Sequence, residues 1–186
     1  MNFRFFPLVA LLLMGFRAGT PLPKEYIPWN ADHPVQWKDF KGKPQNNAKE
    51  AAMTASSIEF NYVTNGVNMV RWNVYCKFYP ELSWSRKEKQ NMQVLNHERL
   101  HFDITEVYSR IMRKRFLEEI KSVKDIPKIK TIGKAVMTEW NKEEEAYDQE
   151  SEHSMNTAKQ QEWNQAVAER LEELKDYTMT SFTVKK

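Results

Sequence analysis

The sequence is poor in cysteine, with only Cys76 in 186 residues. A single thiol cannot form an internal disulfide, and it has no neighbouring cysteine with which to build a thiolate zinc site. Cys76 lies in an apolar, aromatic stretch, which favours a small buried side chain over a nucleophile. The stability of the fold must therefore come from packing of the core.

The sequence also lacks an excess of one charge. It has 28 basic and 25 acidic residues, and the two signs are interspersed along the chain. A nucleic-acid-binding protein normally gathers its basic residues into a patch or stripe. We therefore expect no nucleic-acid partner.

No apolar run in the sequence is long enough to span a bilayer as a helix. Residues 1–4 form a short basic start, residues 5–16 are almost unbroken apolar residues, and residues 18–20 are small. This order is typical of a secretory signal peptide, although an uncleaved anchor is the alternative. We predict a signal over residues 1–20 and one exported domain over residues 21–186. We expect this domain to be exported, either to the periplasm or out of the cell. Once the signal is cleaved, it would have no stable membrane insertion.

The most informative pattern is His97-Glu98-Arg99-Leu100-His101, which has the form H-E-x-x-H. On a helix, positions four apart lie on the same face, so His97 and His101 can chelate one Zn²⁺. Glu98 lies beside them, where its carboxylate can take a proton from water. These residues predict a zinc hydrolase with Glu98 as the catalytic group. An ordinary amphipathic helix with solvated histidines is the alternative interpretation.

Residues 86–123 are predicted to form the long helix that carries this motif. Neither proline nor glycine occurs in it, and Ser85 and Glu88 have the spacing of a capping box. A second helical region is expected from about residue 131, with an interruption around residues 148–156. Thr157 resembles the cap of a final helix.

The residues before the long helix predict strands. Apolar residues alternate over residues 53–63 and again over residues 67–78, and Asn65-Gly66 between them is a favoured hairpin turn. We therefore predict an antiparallel hairpin whose second strand packs under the helix. Residues 37–40 are predicted to form another short strand.

A catalytic zinc normally has three protein ligands, so the two histidines need a third. His33 and His153 are the other histidines of the chain. His153 follows a dense acidic cluster in which Asp148, Glu150 and Glu152 could orient an imidazole as supporting partners. Our order of preference for the third ligand is His153, then Glu150, then His33.

Four segments together resemble a known family. They are WKDFKG at 37–42, AAMTAS at 51–56, NHERLHFDI at 96–104 and YDQESEHS at 147–154. They are similar to those of a family of exported bacterial proteins classed as zinc-dependent peptidases in the zincin clan, over about residues 37–174. The resemblance implies a zincin-like α+β fold, His97 and His101 as ligands and Glu98 as the acid/base.

One branch of the clan is disfavoured. In the extended metzincin pattern, Ile104 would have to be glycine and Val107 would have to be the third histidine.

These observations lead us to expect a zinc metallopeptidase that acts on a peptide or protein substrate. An exposed sheet edge could hold an extended peptide by strand addition. Tyr147 is a candidate for stabilising the oxyanion, although a core role for it is favoured. Two alternatives stay open: a silent zincin-like protein that acts as an interaction module, and a zinc amidase that acts on a cell-wall component.

Overall fold

The computed structural model describes residues 4–11, 23–44 and 48–185, and it is an α+β fold with a small antiparallel sheet and three helices. The strands are β1 (Arg4–Leu11), β2 (Ile27–Pro28), β3 (Ala52–Met53), β4 (Ser56–Thr64), β5 (Met69–Phe78), β6 (Trp84–Ser85) and β7 (Ser181–Lys185). The helices are α1 (Met92–Glu119), α2 (Ile126–Ser151) and α3 (Thr157–Glu173). The predicted fold class is confirmed at this level.

The centre of the sheet is the predicted hairpin of β4 and β5. Its turn is organised by Asn65, whose side-chain Oδ1 accepts hydrogen bonds from the backbone N–H groups of residues 67–69. Gly66 has a φ of +75°, a conformation that glycine adopts at little cost. The Asn-Gly pair therefore forms the turn for the reason that the sequence suggested.

Three further strands extend this hairpin. β1 pairs with β4, whereas β2 and β7 pair with opposite ends of β5, and all of these pairings are antiparallel. β3 and β6 form a separate two-stranded ladder beside the sheet. Of the residues assigned to the signal peptide, the structure describes only those of β1, and the others lie outside the described residues. Cleavage of residues 1–20 stays a prediction.

The core lies between the inner face of β5 and α1. Alternate residues of β5 point inward, as the period of two predicted, and they meet apolar residues of α1. The buried set includes Val70, Trp72, Val74, Cys76 and Phe78 on β5, and Ile104, Val107, Met112 and Phe116 on α1. Each large side chain of this kind contributes roughly 1.5–3 kcal/mol on burial. Burial also raises the pKa of the Cys76 thiol, which keeps it protonated and unreactive.

α2 packs against α1, and at Gly133 it faces the end of the Phe60 side chain of β4. A Cβ atom at Gly133 would lie 2.3 Å from the end of the Phe60 ring, so only glycine fits there. The C-terminal half of α2 then runs beside the H-E-x-x-H turns of α1. This arrangement brings the acidic residues of α2 to the histidines of α1.

Several predicted boundaries are wrong. α1 begins at Met92, and its N-cap is Asn91, whose side chain accepts from the N–H of Val94. Ser85 cannot cap the helix because it belongs to β6 and its hydroxyl accepts from Gln90.

Three other elements also differ from the prediction. α3 is capped by Asn156 rather than Thr157, and α2 begins at Ile126 with a proline in its first turn. Residues Trp37–Asp39 form a 3₁₀ helix instead of a strand, stabilised by the side chain of Asp39, which accepts from the N–H of Gln36. The errors at α1, at α3 and at Trp37–Asp39 lie where side-chain hydrogen bonds to the backbone decide the local structure.

Candidate metal centre

The two histidines of α1 face each other as their spacing predicted. The Nε2 atoms of His97 and His101 lie 3.2 Å apart, and the two rings are nearly perpendicular. His97 is buried and His101 is half-buried. Both rings therefore present the same nitrogen to one point beside the helix.

The third residue at this point is Asp148 of α2. Its Oδ1 lies 3.0 Å from Nε2 of His97 and 3.1 Å from Nε2 of His101. The three residues form a group that could hold a metal ion. From the sequence, Asp148 was expected only to support an imidazole, so this direct position was missed.

Acceptors behind the imidazoles determine which nitrogen of each ring faces the cluster. Nδ1 of His101 lies 2.5 Å from Oε2 of Glu144, and the other oxygen of that carboxylate accepts from the indole N–H of Trp140. A carboxylate accepts only, so one proton of His101 lies on Nδ1, and Nε2 is the atom that offers a lone pair to a metal ion when the ring is neutral.

His97 is oriented by α3 in the same way. Its Nδ1 lies 3.2 Å from Oε1 of Gln160, which also accepts from the hydroxyl of Tyr147 at 2.8 Å. The amide nitrogen of Gln160 donates to Asn164, which leaves Oε1 as the acceptor for the histidine. His97 therefore also directs its Nε2 lone pair at Asp148.

The consequence is that three acceptor atoms lie 3.0–3.2 Å from one another. Such atoms repel unless a proton or a metal ion lies among them. Ligand atoms around a tetrahedral zinc, with bonds of about 2.0–2.1 Å, are about 3.3 Å apart, so the observed triangle fits that ion. The donor set, two imidazoles and a carboxylate, also suits zinc.

Without a metal ion, the pKa values of the group indicate that a proton lies among these atoms. Burial alone would lower the pKa of His101, but the carboxylates of Glu144 and Asp148 outweigh it and raise this pKa well above its ordinary value. Burial alone would raise the pKa of Asp148, but its contacts with His101 and His97, with a proton among the three atoms, hold it well below its ordinary value. The carboxylate of Asp148 is therefore ionised at neutral pH.

Glu98 is the buried acid beside this group. Its side chain is 4% exposed, and its Oε2 has no hydrogen-bond partner among the described residues. The backbone carbonyl of Glu98 accepts from the hydroxyl of Thr54 at 3.0 Å, which ties this turn of α1 to the chain just after β3. A buried carboxylate oxygen without a partner is costly, and such exceptions are frequent at functional sites.

These groups line one open cavity of about 510 Å³. Its walls come from α1, from α2 and from the segment around β3, which includes residues 48–54. β3 pairs with β6 along one edge, and no other described strand pairs with it. The cavity is thus large enough for several residues of a peptide, and one wall is a short strand.

The residues proposed from the sequence as a third ligand lie in three different places. His153 lines the cavity, with its Nδ1 3.3 Å from Oδ1 of Asp148 and a side chain that is 65% exposed, but it is not in the metal-binding group. Glu150 accepts a hydrogen bond from Trp163 of α3. His33 lines a second cavity, next to Trp29.

Tyr147 has the core role that the sequence favoured. It is fully buried, its ring stacks on that of His97, and its hydroxyl donates to Gln160. Burial raises the pKa of this phenol above its ordinary range, so it stays a neutral donor. Glu144 and Gln160 were not singled out from the sequence. The one available signal was that Glu144 lies four residues before Asp148, on the same face of α2.

Comparison with known proteins identifies no relative: no protein-family model, no curated protein and no solved structure matches the chain. Within the described residues, no helix is both long and apolar enough to cross a membrane. The resemblance to the zincin clan stays a prediction.

Proposed function

We propose that the chain is a zinc-dependent hydrolase that cleaves peptide bonds, with His97, His101 and Asp148 as metal ligands and Glu98 as general base and acid. The observation that carries this proposal is the meeting of three acceptor atoms within 3.0–3.2 Å. They meet beside a buried carboxylate oxygen that has no partner among the described residues. Asp148 replaces His153 as our choice of third ligand because it already touches both imidazoles.

The chemistry follows from the positions of these side chains. Bound zinc would supply a Lewis acid that polarises the scissile carbonyl and acidifies water. Glu98 takes a proton from the attacking water and later delivers it to the leaving nitrogen. Glu144 and Gln160 hold the two imidazoles in the tautomer that ligates metal.

Two imidazoles and a carboxylate are also the donor set of many non-haem iron sites. Glu98 favours zinc hydrolysis here, because it places a base for water beside the metal group. Peptide rather than another amide is favoured by β3, whose two residues line the cavity and which pairs with β6 alone among the described strands, so that an extended chain could add to it as a strand. Export to the periplasm or beyond remains part of the proposal, on the sequence of residues 1–20.

The test begins with the full-length chain purified without chelator or histidine tag. Elemental mass spectrometry should find one zinc per chain, and a peptide library should reveal cleavage. The variant Glu98→Gln should keep the zinc and lose about 10²–10⁴-fold in turnover, because the base is removed while the ligands stay.

Iron in place of zinc, or full activity in Glu98→Gln, would contradict the mechanism. Zinc binding without cleavage of the peptides, or of amides from cell-wall fragments, would instead favour an interaction module.

A further inference from the structure

One wall of the metal cavity has little regular structure of its own. This wall, which we call the β3 wall, consists of residues 48–54, and within it only the two residues of β3 form a strand. Residues 48–51 are half-buried or exposed, and the first and last of them are alanines. An alanine side chain buries little apolar surface, so packing contributes little to the position of this stretch. Hydrogen bonds to its backbone must therefore hold it.

Arg86, the residue directly after β6, supplies three of these hydrogen bonds. Its Nη2 donates to the carbonyl of Ala48 at 2.7 Å, and its Nε donates to that of Glu50 at 3.3 Å. Its backbone N–H donates to the carbonyl of Ala51 at 2.8 Å. A guanidinium group carries its N–H donors in one rigid plane and stays charged, so it can hold two carbonyls at once. Hydrogen bonds from a charged donor are also stronger than neutral ones.

Two further contacts complete the support of the β3 wall. Nζ of Lys89 donates to the carbonyl of Lys49 at 3.2 Å, so four successive carbonyls of the wall accept from the segment between β6 and α1. At the other end of the wall, the hydroxyl of Thr54 donates to the carbonyl of Glu98. The wall is thus tied to the catalytic turn of α1 at one end and to Arg86 at the other.

Arg86 acts from behind the wall. The residues that the structure places on the cavity lining do not include it. Its guanidinium carbon lies 5.8 Å from the centre of the Trp84 ring, within the range of a cation–π contact. Trp84 is 4% exposed, lines the cavity and pairs with Met53 of β3. A buried ring therefore supports the guanidinium group that holds the wall.

We propose that Arg86 is a positioning residue for the substrate: by holding the carbonyls of residues 48, 50 and 51, it keeps the β3 wall in the shape that accepts an extended peptide. This inference rests on the proposed function. A peptide that adds to the ordered wall binds more weakly in proportion to the fraction of molecules in which the wall is ordered. The ligand residues and Glu98 belong to α1 and α2, so a loosened wall raises KM and leaves kcat unchanged.

The experiment compares Arg86→Ala, Arg86→Lys and the control Lys87→Ala, an exposed neighbour, all in the full-length chain. The first measurements are zinc per chain, and kcat and KM on the best library peptide. We expect Arg86→Ala to keep one zinc and its kcat, while KM rises about 10–100-fold. Arg86→Lys should lie between this variant and the wild type, because lysine keeps the charge but donates from a single point. Lys87→Ala should behave as the wild type does.

Hydrogen exchange gives a second readout that needs no substrate. The segment 51–56 includes β3 and Ala55, whose N–H donates to the hydroxyl of Ser83 at 2.9 Å. In Arg86→Ala its amides should exchange about tenfold faster, because the wall opens more often, while those of α2 keep the wild-type rate. Wild-type exchange of segment 51–56 in Arg86→Ala would overturn this inference alone.

The division between KM and kcat separates positioning from a general loss of folding. A partly unfolded variant has fewer active molecules, so its kcat falls while the KM of the folded molecules stays normal. A normal KM in Arg86→Ala, with or without a fall in kcat, would therefore overturn the positioning role. A wild-type chain that binds zinc and cleaves no amide would overturn the proposed function, and with it the role of Arg86 in binding substrate.

Discussion

Two buried polar clusters lie along α1, and they differ in how their charges are balanced. In the first, Glu106 accepts from Arg110 at 2.9 Å and from Arg113 at 2.8 Å, and the remaining donors of these arginines reach backbone carbonyls such as that of Leu171. In the second, His97, His101 and Asp148 meet acceptor to acceptor. The first cluster is balanced by its own side chains, whereas the second is balanced only when a proton or a metal ion lies among its three atoms.

The two clusters of α1 should therefore differ in what they contribute: the first to stability and the second to the binding of a ligand. A buried charge that meets its countercharge holds elements together, and removing either partner is destabilising. Acceptors that face one another do not stabilise the fold by themselves. We therefore expect this group to serve the binding of a cation. The first cluster should therefore respond to mutation in its stability, and the second in its binding of metal.

The largest effect is expected at the complete cluster. Glu106→Gln leaves two buried guanidinium groups without their carboxylate and should lower the free energy of unfolding by about 3–5 kcal/mol. Urea denaturation measures this change. The control Glu169→Gln, on the exposed face of α3, should stay within about 0.5 kcal/mol of the wild type. Equal stabilities of the two variants would mean that the first cluster is not structural.

The next effect concerns zinc itself. Zinc in hundredfold excess over its dissociation constant should stabilise the wild type by about 2.7 kcal/mol, which raises Tm by roughly 5–10 °C. Asp148→Ala should lose most of this shift because one of three ligands is gone. Glu150→Ala should keep it, since that side chain bonds to Trp163 instead. Differential scanning fluorimetry distinguishes the two, and the reverse order would assign the ligand to Glu150.

A smaller effect on zinc affinity is expected from Glu144, whose carboxylate contacts Nδ1 of His101. Glu144→Gln removes the carboxylate that holds His101 in its ligating tautomer, and zinc affinity should fall about 10–100-fold. Competition with a chromophoric chelator measures it. The neighbouring exposed Glu145→Gln serves as the control and should bind as the wild type does. An unchanged affinity in Glu144→Gln would show that the contact is incidental.

The smallest effect concerns the turn that ends α2, where Glu152, His153 and Ser154 have φ angles of 50°, 51° and 77°. Glu152→Gly relieves one strained residue and should raise the free energy of unfolding by about 1 kcal/mol. Glu145→Gly, in the middle of α2, should lower it by a similar amount. Opposite signs in thermal denaturation would confirm the strain at residue 152, whereas a loss in both variants would argue against it.

The sequence could predict the parts of the site that lie on one helix, and not the parts that join two. His97, Glu98 and His101 follow from the geometry of one turn. The contact of Asp148 depends on the rotation and depth of α2 against α1, which are set by packing such as that at Gly133. No local pattern records that rotation, so the sequence analysis ranked Glu150 as a candidate ligand and Asp148 only as a supporting partner.

The fold shows the same limit. The hairpin of β4 and β5 was predictable because alternation and an Asn-Gly turn are local signals. β3 and β6 are only two residues long and exist through their pairing with each other. β7 comes from the far end of the chain to pair with β5. β7 does alternate, with Phe182 and Val184 on its inner face, but nothing in that alternation indicates which strand it joins.

The close approach of Gly133 to Phe60 also has a mechanical consequence for the metal group. α2 meets the end of the Phe60 side chain at Gly133, and Asp148 lies fifteen residues further on, about 22 Å along the helix axis. A methyl group at Gly133 would displace either the Phe60 ring or the helix, and over this length a helix tilt of about 3° is already a shift of roughly 1 Å at Asp148, about a third of the side of its triangle with the histidines. The lack of a side chain at Gly133 thus helps to set the position of Asp148, a candidate ligand several turns away.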